Sequence, residues 1–171
     1  MIMSSIKNRR SVRKYHETPI PREQIEALLE AAMLAPSACN SRPWRFVVVT
    51  NREKLDKLAD NHGYAKMLYK APVAIVLCAL ADEQAKNHIA EGFWPQDGGA
   101  ATQNILLQAT EMGLGSVWCG IYPKEPIMAA VCKILELPTD EIPLSMIVIG
   151  HGDEAPDARG FYDDTKVRWV E

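Results

Sequence analysis

The sequence predicts a mixed α+β domain in which helices cover both faces of a central sheet. Three observations lead to this prediction. Apolar residues recur at helical spacing in one set of segments, short apolar or β-branched runs form a second set, and the two sets alternate along the chain. Because no repeat, linker or low-complexity tract interrupts this pattern, we expect a single domain over residues 1–171.

Two helices and two strands are predicted in the first half of the chain. The stretch PREQIEALLEAAMLAPS (21–37) carries apolar residues on one helical face, between two prolines that mark its start and its end. RFVVVT (45–50) is a β-branched strand, and NREKLDKLAD (51–60) is a helix with Asn51 as its N-cap. APVAIVLCALA (71–81) is apolar without alternation, which indicates a strand covered on both faces.

The second half continues the alternation. Residues 82–96 are polar and irregular, so we expect them at the surface. DGGAATQNILLQATEMG (97–113) is apolar nearly all round, which predicts a buried helix that Gly113 closes. The remaining predicted elements are a strand at GSVWCGIY (115–122), a helix at PIMAAVCKILEL (126–137) and a central strand at LSMIVIGHGD (144–153). The polar tail, about residues 154–171, has no partner within its own domain, and we expect it to pack on a second subunit.

Composition and charge narrow the classes of function. The 19 lysines and arginines are outnumbered by 22 aspartates and glutamates, and the net charge of −3 argues against general nucleic-acid binding. The 4 cysteines and 4 histidines show no metal-ligand spacing, so no metal site is expected. Neither a signal peptide nor an apolar run long enough to cross a membrane is predicted, which favours a reducing, cytoplasmic location.

A basic cluster, RRSVR (9–13), stands out near the start of this acidic chain. Guanidinium groups match phosphate oxygens and a hydroxyl adds a further donor, so the cluster is a candidate phosphate site. If the segment is helical, Arg9 and Arg13 share a face, since they are four residues apart. A solvated helix end with cations near its C-terminus is an equally supported interpretation.

Two other segments have the chemistry of a site for a planar ligand. APSACNSRPW (35–44) is a rigid loop whose Asn40 amide can hydrogen-bond a heterocycle, although a plain connection has the same composition. GLGSVWCGIYP (113–123) lacks the third glycine of a dinucleotide fingerprint, because a tryptophan occupies its place. Its strand end at Cys119 and Gly120 exposes backbone N–H groups that a flat ligand can approach over the glycine.

Together these segments resemble the FMN-dependent nitroreductase family. The matching stretches are RRSVRKY, APSACNSRPWRFVVV, GGAATQNILLQATEMGLGSVW with the CG that follows it, LSMIVIGHGDEAP, and a terminal Arg159 with Trp169 ten residues later. These stretches occur in the same order as in the family, over nearly the whole chain. The resemblance implies a three-layer α-β-α sandwich with a central mixed sheet. It also implies a homodimer that exchanges its C-terminal tails and holds two FMN molecules at the subunit interface.

The resemblance further implies three groups of residues at the FMN site. The residues implied to bind the phosphate and the ribityl chain are Arg9, Arg10, Ser11, Arg13 and Arg159. Those that the partner subunit contributes over the ring are Pro36, Ser37, Ala38 and Asn40. Those beside the isoalloxazine are Asp97, Trp118, Cys119 and Gly120. In this last group a backbone N–H is expected to donate to flavin N5 or O4, where it tunes the electronics of the ring.

The activity implied by the resemblance is a ping-pong transfer of hydride from NADH or NADPH through flavin N5 to an electron-poor acceptor, such as a nitroaromatic or a quinone. A flavin-binding protein of the same fold without turnover is the alternative, and a polyanion-binding module is a more distant one. Two positions depart from the family pattern. Arg42 replaces a glutamine, which favours either an anionic substrate or plain solvation. Asp157 replaces a basic residue, which we expect to weaken FMN retention.

Overall fold

The structure is a computed structural model that describes residues 2–80, 90–157, 160 and 162–171. The α-helices in these ranges are α1 (Ser4–Asn8), α2 (Arg22–Met33), α3 (Arg52–Asn61), α4 (Trp94–Glu111) and α5 (Glu125–Leu135). The strands are β1 (Tyr15–His16), β2 (Trp44–Val49), β3 (Val73–Leu80), β4 (Gly115–Gly120) and β5 (Glu141–Gly152). Short 3₁₀ turns cover Ala38–Asn40, Lys66–Tyr69 and Asp164–Lys166. No helix within the described ranges is long and apolar enough to cross a membrane.

Strand β5 is the centre of the sheet. It pairs with β3 on one side and β4 on the other, its last residues pair with β1, and β2 pairs with the outer side of β3. Within the described residues every ladder is antiparallel, and one parallel bridge joins Ser11 to Ser116. The sheet predicted as mixed is therefore mixed only through that bridge, which brings the basic N-terminal segment against β4.

Helices cover both faces of the sheet, as predicted. Alternate residues of a strand point to opposite faces. In β3, Val73, Ile75 and Leu77 pack with α2 and α4, whereas Val76 and Cys78 pack with α3 and α5. All five side chains are buried. The unbroken apolar sequence of β3 thus reflects burial on both sides, and the architecture is a three-layer α-β-α sandwich.

Two elements begin three residues before their predicted bounds. Helix α4 begins at Trp94, because Pro95 is tolerated in the first turn of a helix, where its missing N–H costs no hydrogen bond. Strand β5 begins at Glu141, and its register against β3 shifts beside Pro143, which cannot donate to the ladder. Residues 82–89 of the predicted surface segment lie outside the described ranges.

The predicted end of α4 at Gly113 is confirmed. Gly113 has a φ of 70°, and its N–H bonds the Thr110 carbonyl at 3.1 Å. The Leu114 N–H bonds the Ala109 carbonyl at 2.8 Å. These two bonds form a Schellman motif, whose left-handed residue is favoured as glycine because glycine adopts a positive φ without strain.

The N-cap of α3 gives a first testable prediction. The Asn51 side-chain oxygen accepts a hydrogen bond from the Lys54 N–H at 3.0 Å, which confirms the predicted cap. Replacing Asn51 with alanine removes this acceptor and is expected to lower the free energy of unfolding by about 1 kcal/mol. Asn51→Asp keeps an acceptor and should stay within roughly 0.3 kcal/mol of the wild type. Urea denaturation measures both, and equal losses in the two variants would contradict the capping role.

Candidate functional site

The candidate site lies along the open edge of strand β4. One side of β4 pairs with β5, and on the other side the Ser116 carbonyl accepts a hydrogen bond from the Val12 N–H at 3.0 Å. Main-chain groups alternate in direction along a strand, so Trp118 and Gly120 present their N–H and C=O groups to the same open side as Ser116. By the same alternation, the main chain of Cys119 is directed toward β5. The end of β4 therefore offers the N–H groups of Trp118 and Gly120 along its open edge.

A cavity of about 890 Å³ opens along this edge. Its walls are the end of β4, the turn after α3 and the start of α5. The apolar side chains on its surface are Tyr64, Met67, Val117, Trp118, Tyr122, Pro123, Pro126 and Ile127. Its cationic side chains are Arg13, Lys66 and Lys124, and no carboxylate is among its described lining residues. A cavity of this size, apolar with a few cations, suits a planar organic ligand that carries negative charge.

Gly120 leaves room beside this cavity. A Cβ placed on Gly120 would meet no atom within 4 Å, and its φ is not positive. By contrast, a Cβ on Gly150 would lie 2.7 Å from the Tyr15 ring. Packing therefore requires a glycine at position 150, whereas neither packing nor backbone conformation requires one at position 120. The space at Gly120 allows a ligand to approach the main chain closely, and a side chain would fill it.

The turn after α3 lines this cavity with residues that sequence reasoning misses, among them His62, Tyr64 and Lys66. His62 is buried, and its ring contacts both Gly120 and Tyr64. Lys66 donates from Nζ to the Ala59 carbonyl at 2.9 Å, which ties it to α3. The spacing of these residues in the sequence is that of an ordinary surface turn. Only the packing of α3 beside β4 brings them to the strand end.

The Cys119 side chain is buried behind the strand end, where Sγ donates to the Tyr64 carbonyl at 3.6 Å. Burial raises the pKa of the Cys119 thiol to about 11, and the positive charge of Arg13 offsets this only in part. The thiol therefore stays protonated at neutral pH and is a poor nucleophile. Its contribution to the site is packing and a weak hydrogen bond.

The basic N-terminal segment lines a second cavity, of about 340 Å³. Helix α1 ends at Asn8, and the following residues leave it in an extended course, so the helical spacing considered for Arg9 and Arg13 does not apply. Alternation along an extended chain instead places Arg9, Ser11 and Arg13 on one side. All three line the second cavity, and Arg13 also lines the large one. Arg13 is therefore shared by the walls of the two cavities.

Arg10 also lines the second cavity, but one of its guanidinium nitrogens bonds carbonyls at the end of α1. Its Nη1 donates to the carbonyls of Lys7 and Arg9 at 2.8 and 2.7 Å. Such bonds satisfy carbonyls that a helix C-terminus leaves without an intrahelical partner. Arg10 therefore orders the segment that carries the other basic residues.

Two carboxylates lie beside these cations. Glu154 Oε1 accepts a hydrogen bond from the backbone N–H of Arg13 at 2.6 Å, and Glu154 and Asp157 both line the second cavity. Their charge opposes an anion placed there, and the expectation that Asp157 weakens FMN retention stays a prediction. Arg159, predicted as a further cation, lies outside the described residues.

The loop over residues 36–40 lies apart from both cavities in the described chain. None of the four residues predicted to cover the ring lines either cavity: Pro36, Ser37, Ala38 and Asn40. Asp97 holds this loop, since its buried carboxylate Oδ1 accepts a hydrogen bond from the Ala38 N–H at 3.0 Å. Oδ2 is also buried and has no hydrogen-bond partner in the part of the chain that the structure describes. Asp97 itself lines neither cavity, and its contact is with the loop.

The backbone of this loop is unusual. Cys39, Asn40 and Arg42 have φ values of 51°, 53° and 50°. This left-handed region is sparsely populated by residues other than glycine, and such residues cluster at functional sites. Side chains support the conformation, because Ser37 Oγ accepts from the Arg42 N–H and Asn40 Oδ1 accepts from Arg42 Nε, each at 2.9 Å. Arg42 is therefore an exposed cation tied to the loop amide.

A three-layer α+β fold whose sheet edge carries an arginine-lined cavity and a large apolar cavity has the space and the cations to suit an elongated organic anion. Comparison with known proteins agrees with this class. The family model described as the nitroreductase family matches residues 6–63 and 58–151. A relative from Methanothermobacter thermautotrophicus, provisionally named an NADH dehydrogenase/NAD(P)H nitroreductase, is 42% identical over 166 residues, which cover 97% of this chain and 85% of that protein. The chain therefore belongs to the nitroreductase family, as the resemblance predicted.

Solved structures share the fold over the full chain. An FMN-dependent nitroreductase from Clostridium difficile R20291 superposes with a TM-score of 0.87 at 32% identity, covering 99% of both chains. A provisionally named nitroreductase from Desulfovibrio desulfuricans, solved in complex with FMN, superposes with a TM-score of 0.81 at 27% identity, covering 98% of this chain and 95% of that one. The three-layer arrangement is thus shared with a protein crystallised with FMN.

Proposed function

We propose that this protein is an FMN-dependent oxidoreductase that moves a hydride from NADH or NADPH to an electron-poor small molecule, such as a nitroaromatic or a quinone. One observation carries the proposal: an arginine-lined cavity and a large apolar cavity share Arg13 in their walls beside the open edge of β4. The names of relatives in the family support it, since they include NAD(P)H nitroreductase, FMN reductase and NADPH-flavin oxidoreductase.

The described residues fit FMN in three respects. Arg9, Ser11 and Arg13 provide guanidinium and hydroxyl donors that match a phosphate. The open space at Gly120 admits a flat ring against the main chain. The N–H groups on the open edge of β4, at Trp118 and Gly120, are donors for acceptor atoms on the rim of such a ring. The carboxylates of Glu154 and Asp157 weaken the fit at the phosphate end without removing its donors.

In this proposal the protein binds, orients and shields, while the cofactor carries the electrons. Bound FMN supplies reversible two-electron chemistry that protein side chains lack. Arg9, Ser11 and Arg13 hold the phosphate, and Gly120 presents its N–H to the ring. Trp118 and Tyr122 give the acceptor an aromatic wall, and NADH or NADPH occupies the same open cavity in turn. The proposal places this protein in the cytoplasm, which supplies these nucleotides and keeps cysteines reduced.

The proposal includes a homodimer with one FMN site at each end of the interface. The loop over residues 36–40 lines neither cavity of its own protomer, although its backbone has the features of a functional site. The end of the tail is also exposed, since Trp169 and Val170 are 79% and 86% exposed. Apolar side chains this exposed mark an interaction surface. A second protomer that accepts the tail and receives the loop accounts for both features.

The tail gives a prediction for assembly. The double variant Trp169→Ser, Val170→Ser removes exposed apolar area and should convert the dimer to a monomer at micromolar concentration, with loss of bound FMN. Lys166→Ser is the matched control, since it changes an exposed tail side chain without removing apolar area. Sedimentation equilibrium measures the mass of each protein. A double variant that remains dimeric with full FMN content would contradict the exchange of tails.

The activity test is a spectrum. Purified protein supplied with FMN should absorb at about 450 nm, as protein-bound oxidised flavins do. This absorbance should bleach on anaerobic addition of NADH or NADPH. Addition of a nitroaromatic or a quinone should restore the colour. A protein that takes up no FMN would overturn the proposal. Flavin that stays oxidised with both nucleotides would support the alternative of a binding protein without turnover.

A further inference from the structure

Both ring nitrogens of His62 are hydrogen-bonded, one to the end of β4 and the other within the turn after α3. Its Nε2 lies 2.8 Å from the Gly120 carbonyl oxygen, and its Nδ1 lies 3.3 Å from the Tyr64 nitrogen. Its own carbonyl accepts from the Ala65 N–H at 2.9 Å. Only 3% of His62 is exposed. A ring enclosed and bonded at both nitrogens has one orientation.

The two partners determine where the ring hydrogen resides. The Tyr64 N–H can only donate, so Nδ1 accepts, and the Gly120 carbonyl can only accept, so Nε2 carries the hydrogen. A ring with its hydrogen on Nε2 satisfies both bonds. Nε2 of His62 is therefore the donor to the Gly120 carbonyl.

Gly120 is the position at which such a bond matters most. It is the last residue of β4, it lies on the open edge, and a glycine backbone is conformationally permissive. Immediately after it, the N–H groups of Ile121 and Tyr122 both bond the Leu144 carbonyl, at 3.1 and 3.0 Å, as the chain turns away. The bond from His62 restrains the Gly120 carbonyl on the side that β5 does not reach.

We propose that His62 is a positioning residue for the cofactor-facing edge of β4. By holding the Gly120 carbonyl, it fixes the direction of the main chain whose N–H meets the ring of the bound flavin. This inference rests on the proposed function, and it assigns to His62 an effect on the flavin that acts through Gly120. It differs from a purely structural role, which would affect the stability of the turn and leave the flavin unchanged.

Two substitutions separate the two ring bonds. Asparagine places its oxygen near the position of Nδ1, so His62→Asn retains the acceptor for Tyr64 and loses the donor to Gly120. Glutamine reaches as far as Nε2, so His62→Gln retains a donor for the Gly120 carbonyl and loses the acceptor for Tyr64. The two variants are nearly equal in polarity and in size. They therefore test the Gly120 bond separately from the turn.

The measurements are the dissociation constant of FMN, the midpoint potential of the bound flavin and the melting temperature of the cofactor-free protein. His62→Asn should weaken FMN binding by about five- to tenfold, the effect of a buried carbonyl left without its donor. It should also shift the midpoint potential. The shift is about 30 mV if the losses of affinity for oxidised and for reduced FMN differ tenfold. His62→Gln should keep an FMN affinity within about twofold of the wild type and show a clearly smaller shift in potential.

The outcomes are distinct. If both variants bind FMN with equal affinities and equal potentials, the role proposed for His62 is overturned and the proposed function is not. Melting temperatures that fall in both variants while the potential stays at the wild-type value would overturn that role too, because they indicate a purely structural role. Failure of wild type and variants alike to take up FMN would overturn this role together with the proposed function.

Discussion

Replacing Gly120 with valine should abolish FMN binding and leave the fold intact. A side chain at this position meets no protein atom within 4 Å of its Cβ, and the backbone does not need a positive φ, so the cofactor-free protein has room for it. Valine is also favoured in strands, so its effect on the free energy of unfolding should stay within about 1 kcal/mol. The added atoms fill the space through which a flat ring approaches the main chain. We therefore expect wild-type thermal unfolding with no flavin retained after dialysis.

Two control variants make this prediction specific. Gly120→Ala adds one methyl group and should weaken FMN binding less than valine does. Gly150→Ala should behave in the opposite way, since its Cβ would lie 2.7 Å from the Tyr15 ring and 2.9 Å from Pro72, and must displace them. It should destabilise the fold, at a cost of about 1–3 kcal/mol for overpacking. Calorimetric FMN titration of Gly120→Val that gives wild-type affinity would place the ring elsewhere.

The elements of this fold that local sequence specifies are those that sequence analysis predicts. Asn51 caps α3 through a bond to a residue three positions away, and Gly113 ends α4 through bonds within one turn. The burial of β3 on both faces follows from its unbroken apolar run. Such features depend on neighbours in the chain, so periodicity and residue type are enough to reveal them.

The features that sequence analysis misses depend on distant contacts. The RRSVR segment is extended, because Ser11 bridges Ser116 and the Val12 N–H bonds the Ser116 carbonyl, more than one hundred positions away. His62 and Gly120 are 58 residues apart in sequence and meet only because α3 packs beside β4. The predicted group of Arg9, Ser11 and Arg13 does come together, although through strand alternation and not through a helical face. The predicted role of Asp97 beside the flavin stays a prediction.

Arg13→Ala should weaken FMN binding by about 10- to 150-fold, which corresponds to the loss of about 1.5–3 kcal/mol from one charge-assisted contact with the phosphate. Arg13 is suited to this test because it is the residue shared by the two cavities. Its side chain is exposed, and the bond to Glu154 comes from its backbone N–H, which alanine retains. The unfolding free energy should therefore change little. Isothermal titration of cofactor-free protein with FMN measures the loss.

Substitution of an acidic neighbour should change the FMN affinity in the direction opposite to the Arg13 substitution. Asp157 lines the same cavity, so Asp157→Asn removes a like charge from beside the phosphate and should tighten FMN binding severalfold at low ionic strength. Arg22→Ala removes an arginine whose Nε pairs with Glu26 on α2, 2.8 Å away, and should leave FMN affinity unchanged. If Arg13→Ala and Arg22→Ala bind FMN equally well, the phosphate does not lie at the junction of the two cavities. Opposite effects at Arg13 and Asp157, both shrinking as salt is added, are what a phosphate held between these charges requires.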